Sequence, residues 1–449
     1  MTRQNQHLRV SALSAVFLSV LVGGVAAQPT NNTAYGTGAL QNNITGCSNS
    51  AFGFDALFSN TLACTNTAVG DSALYSNNND SGADSAYGNT AVGASALYSN
   101  TVGEDNVATG LSALINNTTG YANTATGMNA LWSNTTGYYN TATGGGALDH
   151  NTTGIQNTAS GFVALSNNTT GVNNTATGYN SLSGNSTGVN DTADGVGALQ
   201  NNSTGVNDTA DGVAALINNT TGSANVADGF QALYSNSSGS HNTAVGTNAL
   251  HNNNGQSNTA LGYQAGYNVT TGSNNIEIGS MGTNTDANTT RIGTQGTQTS
   301  TYIAGIFGTP MTGGGDVVVN SSGKLGVLSS SARYKRDIQP LNERSQGLWQ
   351  LRPVTFRYKQ DPEGERQYGL IAEQVAKVYP ELVTRGDKGE VESVQYRELI
   401  PLMLNEMQRE RHQMEDQQAA LVALKADNTA LGARLERLER TSSKGANGR

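Results

Sequence analysis

The stretch "VLSSSARYKRDIQPL", residues 327–341, holds the residues of this chain best suited to chemistry. Ser329, Ser330 and Ser331 stand directly before Arg333, Lys335 and Arg336. A serine hydroxyl is a weak nucleophile until a base takes its proton. Lysine serves as that base when its amine is neutral, a state that desolvation or neighbouring cations favour. Arg333 and Arg336 flank Lys335 and supply such cations. The residue types therefore fit a serine–lysine active site, against the plainer reading of a linker that turns basic. Spacing leaves the nucleophile open. On an α-helix five residues turn about 500°, so Ser330 and Lys335 would not share a face, whereas Ser331 and Lys335 would. A Ser330–Lys335 pair needs a turn between its members, and Ser331 is the rival.

The remaining candidates carry less. His7, His150, His241, His251 and His412 are scattered and form no metal-ligand pattern, so neither a metal nor a cofactor is expected. Asp194, Asp211 and Asp228 recur at a fixed interval of 17; a solvated acidic stripe is the plainer reading than a Ca²⁺ column. Many N-x-T triplets match glycosylation acceptors but fall out of a repeat.

These residues sit at a compositional boundary. Between Gln28 and Ser330 there are 15 acidic residues against Arg291 and Lys324 alone; from Ser331 onward there are 18 acidic and 20 basic. No basic stripe exists to neutralise phosphates, which excludes nucleic-acid binding as a leading function. At the start, Arg3 and Arg9 precede an apolar run from Val10 to Val25, and "VAAQ" offers small residues before a cut after Ala27. That reads as an export signal over residues 1–27; the run is short for a membrane span.

Residues 28–290 are built on one phrase, N-T-A-x-G-x-x-A-L-x-x-N-x-T-G-x-x, as in "NTATGMNALWSNTTGYY" from Asn123 and "NTATGGGALDHNTTGIQ" from Asn140. It recurs at steps of 17 from position 32 to 275, with one insertion and one deletion. So short a unit cannot bury a face alone and must stack. A parallel β-solenoid or β-roll is expected, with N-T-A-x and x-A-L as strands and the closing glycine at positive φ. The third-position and eighth-position alanines and the leucine would point inward. The fourth position varies (Tyr35, Phe52, Val69, Thr126, Asp194) and would point outward. The first-position Asn, replaced by Asp in two of fifteen copies, would stack into an amide ladder. Cys47 and Cys64 occupy one place in successive units. Rungs about 4.8 Å apart bring them within disulfide reach, and in an exported protein a bridge is expected over two free thiols. The phrase resembles the head repeats of trimeric autotransporter adhesins, though with a longer period. The β-barrel anchor of that family has no counterpart here.

Beyond residue 290 the pattern changes. "TYIAGIFG" and "DVVVNSSGKLGVL" read as a β-rich connector over 291–328. A helix-to-strand phrase follows around Trp349 and Phe356, then a helix from about Ala372 to Val378, a turn at "RGDKGE", and a long helix that Pro401 kinks or opens. Met407, Met414, Leu421, Asn428 and Leu435 fall at heptad position a, and Leu424, Leu431 and Leu438 at d, which predicts a coiled coil over 406–440. A disordered tail is expected over 441–449.

The ordered phrases "SSSARYKRDIQPL", "LRPVTFRYK", "YGLIAEQVAKVYPELV" and "VQYRELIPLMLNEM" resemble the C-terminal intramolecular chaperone of endosialidase-type phage tailspikes and fibres. The resemblance covers about residues 329–425. It implies an α+β domain over 329–405 that trimerises, guides folding of the β-rich part before it, and cuts itself off. Its phrase Ser-Asp-x-Arg-x-Lys places the nucleophile at Ser330, the base at Lys335 and the cut between Ser329 and Ser330. The Asp position here is Ser331, which puts cleavage in question. The expectation is a mainly β, homotrimeric, exported fibre or adhesin, secreted or at a cell surface, with a cell-surface or glycan ligand for the solenoid. In one reading its C-terminal domain is an autocatalytic serine endopeptidase acting once on itself. In the other it is a permanent trimerisation cap. A glycan-cleaving solenoid would need paired carboxylates on a groove, and the acids here are sparse and variable.

Overall fold

The computed structural model describes residues 31–78, 85–304, 306, 316–386 and 388–446, so the export signal read over 1–27 lies outside the described residues. The chain divides into two units, Met1–Thr312 and Gly313–Arg449.

The first unit is a parallel β-solenoid of about fifteen turns. Each turn contributes one three-residue strand, from β1 (Thr33–Tyr35) to β16 (Thr290–Ile292), and the sixteen strands pair in chain order in one sheet. Register follows the sequence phase: Thr124, Ala125 and Thr126 pair with Thr141, Ala142 and Thr143. The central alanine of the repeat strands points in and is buried from β2 (Ser50–Phe52) through β14 (Thr259–Leu261). The core is these alanines, the eighth-position residue and the leucine, as in Ala125, Ala130 and Leu131.

The x-A-L phrase is not a strand. It lies in a run of turns, with Leu131 at φ 54 and Leu148 at φ 53. The coil must close within seventeen residues, and an extended segment there would carry the chain away from the axis. A leucine in the left-handed region is costly. Two gains offset it: full burial of the side chain, about 2 kcal/mol, and an inter-rung bond from Leu131 N–H to the Ala147 carbonyl (3.0 Å). Positive φ falls on the glycine after the strand, Gly127 at +140, rather than on the closing glycine. The closing glycine is needed for close approach. A Cβ on Gly137 would meet Asn134 Oδ1 and the Gly154 carbonyl.

Two asparagine columns run through the buried interior. In the first-position column Asn140 N–H donates to Asn123 Oδ1 (3.0 Å), and Asn140 Nδ2 donates to the Gly154 carbonyl (2.9 Å). The twelfth-position column, not singled out from the sequence as a ladder, bonds amide to amide: Asn134 Nδ2 to Asn117 Oδ1 and Asn151 Nδ2 to Asn134 Oδ1, both 2.8 Å. Cys47 and Cys64 form a disulfide between adjacent rungs, with Cα atoms 4.5 Å apart.

Charge closes the core at its far end. The inward residue becomes Glu277 in β15 (Ile276–Ile278) and Arg291 in β16. Arg291 Nε and Nη2 each lie 2.7 Å from the Asp286 carboxylate. That guanidinium holds the Asp286 carboxyl down to about 2, while burial pushes Glu277 up to about 7.

The second unit is a small β/α region. An antiparallel hairpin, β17 (Val318–Val319) and β18 (Leu325–Gly326), comes first. After two 3₁₀ segments, Ala332–Tyr334 and Asn342–Gln350, β19 (Val354–Phe356) pairs with β20 (Gln367–Gly369). Helix α1 (Ala372–Val378), a short 3₁₀ turn and the hairpin of β21 (Val383–Arg385) with β22 (Val391–Val394) lead into α2 (Tyr396–Ala446). Val375, Tyr379, Leu382, Val383, Val394, Leu399 and Leu402 make its core. Pro401 lies inside α2 rather than at its first turn. The helix extends to Ala446, past residue 440 where the heptad reading ends.

Candidate active site

The site is built by one turn. Residues Val327 to Ser330 follow β18 without regular structure and are exposed. Ser331 (φ −65, ψ 138) then caps the 3₁₀ turn Ala332–Tyr334, its hydroxyl accepting the Arg333 amide (3.4 Å) and Arg333 Nε (3.3 Å). Tyr334 N–H donates to the Ser331 carbonyl (3.0 Å) and Lys335 N–H to the Ala332 carbonyl (3.2 Å). The chain doubles back, and Lys335 Nζ donates to Ser330 Oγ at 3.2 Å. The turn that spacing demanded of a five-residue pair is therefore present, and the helix on which Ser331 and Lys335 would share a face is not.

The arrangement can move a proton between a hydroxyl and an amine within hydrogen-bond reach, the geometry a serine nucleophile and its base require. The Ser329 carbonyl precedes Ser330 directly, so attack by Oγ passes through a five-membered ring. Ser330 and Lys335 are exposed in the single chain and Ser331 is half-buried. Water therefore reaches the pair. The Arg333 guanidinium stacks over Tyr334, 5.5 Å from the ring centre.

The other sequence candidates stay apart from this turn. Asp194, Asp211 and Asp228 stand in register on β10 (Thr192–Asp194), β11 (Thr209–Asp211) and β12 (Val226–Asp228), exposed to solvent. Among the described residues no group of three or more His, Cys, Asp or Glu is placed to hold a metal. The N-x-T asparagines Asn134, Asn151 and Asn168 are the buried twelfth-position ladder. On α2, Met407, Met414, Leu421, Leu424, Leu431, Leu435 and Leu438 are all exposed in the single chain, and Ile400 and Met403 extend that stripe upstream.

One polar cluster gave no sequence signal. Buried Ser345 donates to Glu406 Oε2 (2.6 Å), Trp349 Nε1 donates to Glu406 Oε1 (3.1 Å), and Asn405 Nδ2 donates to Ser345 Oγ (2.7 Å). These bonds, the Ser345 hydroxyl foremost, hold the Glu406 carboxyl below its ordinary value and pin the Asn342–Gln350 segment to α2.

Residues 330–384 match the family described as chaperone of endosialidase. That match begins at the proposed nucleophile and takes in Lys335, α1 and the start of β21. No curated protein and no solved structure matches the chain.

Proposed function

We propose, for a chain that carries a chaperone-of-endosialidase domain behind a β-solenoid, that this domain trimerises, assists folding of the solenoid and then cuts itself off before Ser330. The two parts together are those of a tail-fibre or tailspike-like protein, and domains of this family are trimerising. The observation that carries the cleavage reading is the 3.2 Å approach of Lys335 Nζ to Ser330 Oγ.

The reaction runs as follows. Neutral Lys335 takes the Ser330 hydroxyl proton as Oγ attacks the Ser329 carbonyl carbon. The tetrahedral intermediate collapses, the Ser329–Ser330 C–N bond breaks, and the Ser330 nitrogen takes the proton from Lys335. The Ser329 acyl group is now an ester on Ser330 Oγ. Water, its proton drawn off by Lys335, adds to that ester and releases a Ser329 carboxylate, leaving Ser330 with a free amine and hydroxyl. The chemistry needs the Lys335 amine neutral, a state that desolvation of the pair in an assembly of copies would favour.

The N-terminal signal pattern supports export and a cell-surface or particle-borne place for the protein. No helix among the described residues is long and apolar enough to cross a membrane. The second reading, a permanent cap, is favoured by one observation: a serine stands at 331 where the family phrase has aspartate. Intact-mass spectrometry of the chain expressed without residues 1–27 separates the two. A C-terminal fragment starting at Ser330, lost on Ser330→Ala, is expected. Only full-length mass would leave the cap.

A further inference from the structure

We propose that Ser331 is the positioning residue of this site, and that it does here what an aspartate would do at the same place. The inference rests on the Ser330–Lys335 reading. The bond that matters runs from the Arg333 amide to Ser331 Oγ, with Arg333 Nε on the same oxygen. Together they cap the turn Ala332–Tyr334, which the Tyr334 N–H to Ser331 carbonyl bond closes. Lys335 follows that turn in extended conformation, and its amine returns to Ser330 Oγ.

The same contacts argue against Ser331 as nucleophile. Its oxygen already accepts an amide and a guanidinium N–H, which withdraws electron density and occupies its lone pairs. The Lys335 amine is directed at Ser330. Capping needs only a short side chain with an acceptor oxygen, and serine, aspartate and asparagine serve almost equally, whereas alanine does not. Serine at 331 is therefore compatible with cleavage. The guanidinium adds a second tie: Arg333 bridges the cap and the turn, so an acceptor at 331 also fixes where that side chain lies.

The test is a cleavage time course by intact mass on the full chain, from pH 6 to 9, with oligomer mass read on the same samples. Wild type, Ser331→Asp and Ser331→Asn should yield the fragment beginning at Ser330 at similar rates. Ser331→Ala should be slower by roughly ten-fold, because a small displacement of base from nucleophile is costly in rate. Its pH midpoint should stay in place while its plateau falls, and its oligomer mass should match wild type. Cleavage of Ser331→Ala at the wild-type rate overturns the inference. So does a fragment beginning at Ser331, or failure of both Asp and Asn to restore the rate. A wild-type chain that stays intact while Ser331→Asp is cut overturns this inference and keeps the dyad. Wild type and Ser331→Asp both intact, or cleavage surviving Ser330→Ala, overturns the dyad and the inference with it.

Discussion

In the first-position ladder the asparagine at 174 donates its amide to the Gly188 carbonyl at 2.8 Å, but the next two rungs carry Asp191 and Asp208. A carboxylate has no N–H to give at that place. Both are fully buried. They accept instead, Asp191 from Asp208 N–H (2.9 Å) and Asn202 Nδ2 (3.0 Å), Asp208 from Asn225 N–H (2.8 Å) and Asn219 Nδ2 (3.1 Å). Burial outweighs these bonds and pushes each carboxyl up to about 7 from an ordinary 3.8. Between those values the unfolded chain has released protons that the folded chain still holds. Stability therefore falls as pH rises through that window and levels off above about 7. The pair should contribute a loss on the order of a few kcal/mol. Glu277, raised by burial in the same sense, adds to it. Thermal unfolding of the full chain at pH 5 and pH 8 reads the effect. Asp191→Asn with Asp208→Asn should shrink the difference between the two melts, and an undiminished difference would acquit the pair.

At the scale of one rung, the solenoid rests on bonds that repeat rather than on bulk. A turn buries two small residues and one leucine, so pairing of its polar interior weighs heavily in its stability. Asn134 makes three such bonds, to Asn117, Gly137 and Asn151. Asn134→Ala strands an acceptor on Asn117 and a donor on Asn151, and should cost about 1–3 kcal/mol. Thr126→Ala on the exposed sheet face of the same rung should cost a few tenths. Chemical denaturation of the two variants side by side checks the ordering; equal midpoints would refute it. The same contrast explains what could be read beforehand. Period, inward alanines, strand register and the placing of Cys47 beside Cys64 follow from phase alone, because stacked copies must align like with like. The turn at x-A-L could not be read so: an apolar pair fits a strand or a tight coil equally, and only closure of the ring decides. The Ser330–Lys335 turn is demanded by spacing, and Ser331 stands out in the sequence as a rival nucleophile and as a departure from the family's aspartate, but that its hydroxyl caps the turn shows only in three dimensions. The Ser345–Glu406 clamp joins residues 61 apart with no periodicity to announce it.

For the whole molecule, the stripe on α2 would link the proposed assembly to the proposed processing. Leu421, Leu424, Leu431, Leu435 and Leu438 are exposed in one chain at heptad positions, and a coiled coil of identical chains would cover them. Three solenoids would thereby be held at high effective concentration while their rungs form. Long-range parallel pairing is slow, since each strand closes a loop of a whole turn before any bond forms. A tethered nucleus lowers that cost. Cleavage before Ser330 would then remove the nucleus and leave the folded solenoid unable to retrace its route. The expected consequence is an asymmetry between processed and unprocessed protein. Unfolded in denaturant and diluted back, the Ser330→Ala chain should recover its trimer and its sheet signal. The cleaved solenoid, freed of its C-terminal fragment, should not, although before denaturation it melts at a similar temperature. Equal recovery of the two would show that the domain contributes nothing to folding and serves as a clasp. Recovery of the cleaved solenoid on adding back the separate fragment would show that the covalent link, rather than the nucleus, is dispensable.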